Sequence, residues 1–411
     1  MSESRKAYIP VAPPRQPLPM FQLFLVGLQH VLLMYGGAIA VPLIIGQAAG
    51  LSREEVAFLI NADLLVAGVA TIVQSFGIGA VGIRMPVMMG ASFAAVGSMV
   101  AMAGMPGVGL QGIFGATIAA GFFGMVIAPF MSKVVRFFPP LVTGTVITSI
   151  GLSLFPVAVN WAGGGAEAET FGHPIYLMVA SLVLLTILLV NRFMRGFWVN
   201  VSVLIGMGLG YILAGSIGMV DLSGIEDAPW LQVVTPLHFG MPTFSLAPIL
   251  SMCLVVVIIF VESTGMFLAL GKVTEREVTP GMLRRGLLCD AVASFIAGLF
   301  NTFTHSSFAQ NIGLVQMTGV RCRYVTIVAG GLLIAQSAAK GGVPDCFDST
   351  CSIGRCIDRD VRHGHRHRHQ DPARSGHRRP SQPTVGGCQR WHGADPSGAP
   401  GVLCADATVK T

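Results

Sequence analysis

Gln310-Asn311-Ile312-Gly313-Leu314-Val315-Gln316-Met317-Thr318-Gly319 sets side-chain amides into a stretch whose surroundings read as lipid-embedded. An amide without a partner in hydrocarbon costs several kcal/mol, so a membrane chain that keeps this decapeptide uses it. The surroundings are membrane-like by composition. Of the 411 residues, 53% are hydrophobic and 11% charged, with 51 Gly and 20 Met, and mean hydropathy is +0.69. That balance belongs to polytopic membrane proteins, since no soluble core of this size needs so little charge.

Apolar runs of spanning length recur at 21–46, 55–78, 87–104, 109–131, 139–160, 174–191, 197–217, 246–270, 285–301, 305–318 and 324–334. Most approach the roughly 20 residues that cross about 30 Å of hydrocarbon, whereas the runs starting at 87 and 305 are short and interrupted. The first run is too long and too rich in internal Gly and Pro for a cleaved leader. Broken spans are where transporters place their sites. Of the 15 Lys and Arg before residue 335, a cytoplasmic N-terminus puts all but Arg53 on the inner side. That asymmetry predicts a multi-pass protein of the cytoplasmic (inner) membrane with its N-terminus inside. Glu167, Glu169, Asp221, Glu226 and Asp227 then fall in external loops.

The pattern stops near residue 335. From Ala335 to Thr411 there is one Leu and no Met or Glu, yet the stretch holds six of the ten His and five of the eight Cys. A metal-binding tail would rest on His363, His365, His367 and His369 with Cys346, Cys351, Cys356, Cys388 and Cys404, but their spacing is loose for a structural zinc site. A plain disordered basic tail is the second reading. A shifted reading frame is the third. Back-translating Asp360 to Asp371 and reading one base later permits Met-Phe-Gly-Met-Val-Ile-Ala-Thr-Gly-Ile-Lys-Ile, an apolar run like those before it. The expectation is that the frame slips between about Ile334 and Ser337, so that residues 335–411 replace further spans.

Within the spans, Glu262 interrupts Ile-Ile-Phe-Val-Glu-Ser-Thr-Gly-Met, where an ionisable side chain costs at least roughly 2.5–3.5 kcal/mol and is functional by default. Asp290 lies in Leu-Leu-Cys-Asp-Ala-Val-Ala near the cytoplasmic entry of its span, with a structural or a coupling role. His30 stands among apolar residues of the first span and reads as a helix–helix partner before a ligand. Asp63, toward the external end of the second span, reads as solvated or snorkelling. Ser92-Phe93-Ala94 and Ser307-Phe308-Ala309 align 215 residues apart, each in the broken span of its half. With seven spans in the first repeat, the second copy is inverted. Extended backbone feeding a half-helix would present free N–H groups near the midplane, able to hold an anionic or carbonyl-bearing solute. No HExxH, phosphate loop or nucleophile–base pair is present before residue 335, so an enzyme is not expected. Cys253, Cys289 and Cys322 read as isolated packing residues.

Gln310-Asn311-Ile312-Gly313 followed by Thr318-Gly319, with Gln29-His30, Ser92-Phe93-Ala94, Val261-Glu262-Ser263-Thr264-Gly265 and Asp290, resembles the nucleobase-ascorbate transporter family, the uracil/xanthine permeases, over about residues 20–334. The shifted reading of the tail is similar to that family's twelfth span. The resemblance implies an all-α polytopic fold of seven plus seven inverted spans, with a core domain, a gate domain and short strands in spans 3 and 10. In this chain that gives a cytoplasmic tail at 1–19, core spans 1–4 at 20–131, gate spans 5–7 at 138–217, core spans 8–11 at 246–334 and a frame-shifted, disordered tail at 335–411 replacing spans 12–14.

The resemblance further implies that Glu262 binds the base through its ring N–H groups and that Gln310 bonds its other edge. The backbone near Phe93, Ala94 and Ala309 would complete the site, and Phe93 and Phe308 would sandwich the ring. Asn311, Asp290 and His30 would support the site or its proton coupling, and Thr318 would belong to the signature's Thr-Gly ending. Gln310 favours the oxidised-purine branch over uracil. Met266, where xanthine carriers often have Asp, turns the choice toward uric acid, with xanthine next. Partners would be the purine base, protons, the bilayer and, in intact members, a second copy. Nucleic acid, metals and cofactors have no place in this reading. As it stands the chain would be inactive, with its gate incomplete. The alternatives are a uracil permease, or an anion carrier or channel of the same architecture, from which Glu262 facing Gln310 would distinguish it.

Overall fold

A computed structural model describes residues 19–134, 144–145, 148–149, 151–152, 154–164, 171–195, 197–200, 202–217 and 233–338. The N-terminal tail, part of the 139–160 run, the five acidic loop residues and the His- and Cys-containing stretch from 339 onward lie outside the described residues.

Helix α1 (Met20–Ala48) and α2 (Arg53–Phe76) form the first antiparallel pair. A capping box starts α2: Glu55 N–H donates to the Ser52 hydroxyl at 3.3 Å, and Ser52 N–H donates to the Glu55 carboxylate at 2.8 Å. Two of the orphan donors of the first turn are thereby satisfied. The third run is not one helix. Strand β1 (Met89–Ala91) passes through a tight turn at Phe93–Ala95 into the short α3 (Val96–Ala103). Next come α4 (Gly109–Val134), α5 (Phe155–Ala162), α6 (Pro174–Phe193), α7 (Phe197–Asn200) and α8 (Ser202–Ser216). Helix α9 (Leu246–Val273) carries Glu262, and α10 (Pro280–Leu299) carries Asp290. The tenth run breaks as the third does, into strand β2 (His305–Ser307) and the short α11 (Ala309–Thr318). Helix α12 (Tyr324–Ala338) closes the described chain, continuing past Ile334, the end of the apolar run.

β1 and β2 pair antiparallel, with Met89 opposite Ser307, Gly90 opposite Ser306 and Ala91 opposite His305. The ladder extends one step each way, through Phe308 N–H to the Met88 carbonyl at 2.9 Å and Ser92 N–H to the Thr304 carbonyl at 2.7 Å. Non-helical backbone at this depth must find partners inside the protein, and the two broken spans supply them to each other. The Thr-Gly ending of the decapeptide has a local cause. Gly319 takes φ of 64° in the left-handed region and returns its N–H to the Val315 carbonyl, while the Thr318 hydroxyl bonds the Leu314 carbonyl at 2.8 Å. That combination stops α11 after ten residues.

Helices close on one another through small residues, as expected where lipid gives no apolar driving force. A methyl on Gly68 of α2 would come within 2.7 Å of the Gly330 carbonyl of α12, and a methyl on Gly330 within 2.7 Å of the Gly68 carbonyl. One on Gly121 of α4 would reach the Phe295 backbone of α10 at 2.5 Å. α9 also packs on α4, and α12 on α1, while α6 packs chiefly on α8. Five helices, α1, α2, α4, α6 and α9, are long and apolar enough to cross a membrane. The fold is the expected mostly helical, inverted-repeat one.

Candidate functional site

The two broken spans bring Phe93 and Phe308 to one place, and α1 supplies its floor. A methyl built on Gly37 would lie 3.5 Å from the Phe308 ring, 3.7 Å from the Phe93 ring and 3.8 Å from the Gln310 amide nitrogen. Three expected site residues thus converge on a bare stretch of α1 backbone. Phe308 is 5% exposed because its ring lies over Gly90, where a methyl would meet it at 2.7 Å. Phe93 is partly open, and Ala309 and Gln310 are exposed. The first turn of α11 has no side-chain cap, so its N–H groups are available to a solute.

Helix α9 packs against α11, against the Phe93–Ala95 turn and against β2, which places half-buried Glu262 along the same side of the molecule. Phe93 and Ala94 pack against the apolar cluster that contains Val261. Among the described residues neither Glu262 nor Gln310 makes a hydrogen bond or an ion pair. A carboxyl group and an amide kept this way near lipid are reserved for something else.

The residues expected to support the site do so through identifiable bonds. Asn311 Nδ2 donates to the His30 ring nitrogen Nδ1 at 2.9 Å and lies 3.1 Å from the His30 carbonyl, tying α11 to α1. His30 is 1% exposed and serves as this helix–helix partner. Asp290 accepts from Gln74 Nε2 at 3.1 Å, and Gln74 Oε1 accepts from the Ile83 N–H, so α10, α2 and the loop before β1 are bound together. The Ser263 hydroxyl, next to Glu262, approaches Asp290 without closing a hydrogen bond. Met266 is buried one turn beyond Glu262, and Thr318 works as the end of α11.

The structure corrects one reading. Asp63 is neither solvated nor snorkelling: it is 0% exposed, with the Thr302 hydroxyl donating to its Oδ1 at 2.7 Å and the His305 ring 3.6 Å away. The reason is that β1 packs on α2 and that Thr302 and His305, from the turn before β2 and its first residue, reach Asp63, so the middle of that helix meets protein instead of headgroups. Gly37 and His305 were both missed from sequence. Gly37 is one of many glycines, and only the Gly36-Gly37 pair next to Gln29-His30 hinted at a close approach. His305 stood at the edge of a short apolar run and looked like its boundary.

Residues 21–339 match the family model described as Xan_ur_permease, Permease family. The chain belongs to the uracil/xanthine permease family. It is 50% identical over 314 residues to "Uric acid transporter UacT" of Escherichia coli (strain K12), a match covering 76% of the chain and 65% of that relative. It is 42% identical over 309 residues to "Xanthine permease" of Bacillus subtilis (strain 168), covering 75% of the chain and 70% of the relative. The chain therefore spans about two thirds of the length of the curated relatives it matches. Among solved structures, the transmembrane domain of a cyanobacterium bicarbonate transporter, BicA, superposes with a TM-score of 0.58 at 16% identity, covering 84% of this chain and 90% of that one. At that identity the likeness is one of fold. The permease is a multi-pass membrane protein, and its family consists of carriers, not enzymes.

Proposed function

We propose that the chain encodes a carrier for an oxidised purine, uric acid first and xanthine second, taken up across the cytoplasmic membrane together with a proton. The observation that carries this reading is the convergence of Phe93, Phe308 and Gln310 on Gly37, with the unpaired carboxyl group of Glu262 on the neighbouring helix. Aromatic edges on either side of a narrow floor suit a flat heterocycle, and an amide and a carboxylate suit its alternating carbonyl and N–H edge. Glu262 would take the ring N–H groups, Gln310 the opposite edge, and the backbone at Ala94 and Ala309 the remainder. Asn311, His30 and Asp290 hold these groups in place. Met266 leaves the space beside Glu262 apolar, which favours urate over xanthine in this family. An anion carrier of the same fold would have no use for a carboxylate at this position.

In this reading α1–α4 and α9–α12 form the core, α5–α8 belong to the gate, and transport is movement of one against the other. The N-terminus would be cytoplasmic, and an intact chain would pair as a homodimer through its gate. The family match ends at residue 339, within a few residues of the composition break, which supports a frame slip there. The 411-residue chain would then bind but not transport. The test is uptake of radiolabelled urate and xanthine by cells expressing the frame-restored gene. Saturable urate uptake, competed by xanthine and abolished by a protonophore, is expected. Saturable xanthine uptake untouched by excess urate would remove the urate preference, and insensitivity to the protonophore would remove proton coupling.

A further inference from the structure

Where strand β2 meets helix α2 sits a buried acid–base pair that the purine site does not use. His305 is 0% exposed and so is Asp63. The ring nitrogen Nδ1 of His305 lies 2.8 Å from the Phe303 carbonyl oxygen. A carbonyl can only accept, so Nδ1 carries a hydrogen. The other ring nitrogen, Nε2, points toward Asp63 Oδ1 at 3.6 Å and has no hydrogen-bond partner. If the ring were neutral and the carboxylate ionised, two lone pairs would face each other in a dry interior. One added proton removes the conflict, whether it rests on Nε2 to make an imidazolium or on the carboxyl group of Asp63.

We propose that Asp63 and His305 form a proton-holding pair at the broken tenth span, whose occupancy sets how β2, and with it Phe308 and Gln310, is anchored to α2. The connections to both sides are present. Asp63 Oδ1 also receives the Thr302 hydroxyl at 2.7 Å, from the turn that feeds β2. The His305 backbone N–H donates to the Ser294 hydroxyl at 3.1 Å, which itself donates to the Asp290 carbonyl at 2.8 Å. Ala91, opposite His305 in the sheet, leads directly to Ser92 and Phe93. A change in the contact between Asp63 and His305 would therefore reach the segments that carry Phe93 and Phe308. Besides Arg53, Glu54 and Glu55 in the first turn of α2 and Lys272 in the last turn of α9, the ionisable groups on the elements packed around the pair include Asp290 on α10, Glu262 on α9 and His30 on α1. Arg284 and Arg285 lie in the first turns of α10, at the opposite end from Ser294, and His238 stacks on Phe58, more than a turn from Asp63 on α2. None of these comes between Asp63 and His305.

The inference rests on the purine-carrier reading only for its consequence in transport, so the two are tested separately. The full 411-residue chain, labelled with 15N-histidine and held in detergent micelles, is examined by NMR, with the His305 signal identified by its loss in His305→Gln. The expected result is an Nε2 that shares or carries a proton in the natural chain and becomes a hydrogen-bonded neutral nitrogen in Asp63→Asn, whose amide still accepts from Thr302 and can donate to the ring. A natural Nε2 that is bare and unchanged by Asp63→Asn overturns the pair. In the frame-restored carrier, Asp63→Asn and His305→Gln should each change the pH dependence of uptake, and the double variant should add nothing further. A purely structural role predicts that Asp63→Asn, being isosteric, keeps the original profile, and that outcome also overturns the proposal.

Discussion

Glu262 is the residue on which the binding chemistry turns, because Gln310 supplies the only other polar side chain proposed to meet the base. Glu262→Gln keeps size and polarity but loses the charge and one acceptor oxygen. A hydrogen bond to a charged group contributes about 1.5–3 kcal/mol, so urate uptake by the frame-restored carrier at low substrate should fall by at least tenfold. Uptake within twofold of the parent would take the central role from this carboxylate. Gly37 makes an independent test of the same site. Its backbone leaves less than 4 Å between an added methyl and the Phe308 ring, the Phe93 ring and the Gln310 amide. Gly37→Val would occupy the floor itself, so binding of the larger urate should be lost before that of the smaller xanthine. Competition assays with both bases read this directly, and equal losses for the two would argue against a floor at Gly37.

At the scale of elements, the crossing of α2 and α12 depends on Gly68 and Gly330 lying backbone to backbone. Gly68→Val would force the helices apart, since its Cβ alone meets the Gly330 carbonyl at 2.7 Å and the Ile334 side chain at 2.8 Å. Overpacking of this kind costs typically about 1–3 kcal/mol, and a lower unfolding midpoint in detergent, compared with Gly313→Val at an open position, is the expected reading. Sequence patterning found these helices but not this crossing. Hydropathy marks length and apolar character, so α1, α2, α4, α6 and α9 stood out, and the interruptions at residues 87 and 305 marked the broken spans. The two short strands were expected only from the family resemblance and their pairing was not foreseen, because three-residue strands leave no periodicity of their own. Asp63 was misread for a related reason. Depth along a helix can be judged from sequence, but which face meets another protein segment is decided by chain 239 residues away, at Thr302.

For the molecule as a whole, the arrangement of charge and composition poses a question that the helices do not. Through Ile334 the chain alternates apolar spans with short loops, and α12 runs on to Ala338. Beyond that point comes a stretch rich in His, Cys and Arg with a single Leu, Leu403. A carrier that moves one domain against another needs matching surfaces on both. The described helices proposed for the gate are few: α6 packs on α8, and α6 has much of its surface exposed. Exposed Leu184, Leu185 and Leu188 on one side of α6 suit lipid or further helices equally. If the frame slips between Ile334 and Ser337, removing one base there restores apolar spans over the segment now read as Asp360 to Asp371. Resequencing the gene across codons 330–340 tests this first, and an intact frame there ends the argument. Where the slip is found, cells carrying the restored gene should accumulate urate while cells carrying the present one should not, although the purified 411-residue chain still binds it. Transport by the present chain at the restored rate would show that the segment after residue 338 is dispensable and that α1–α12 suffice.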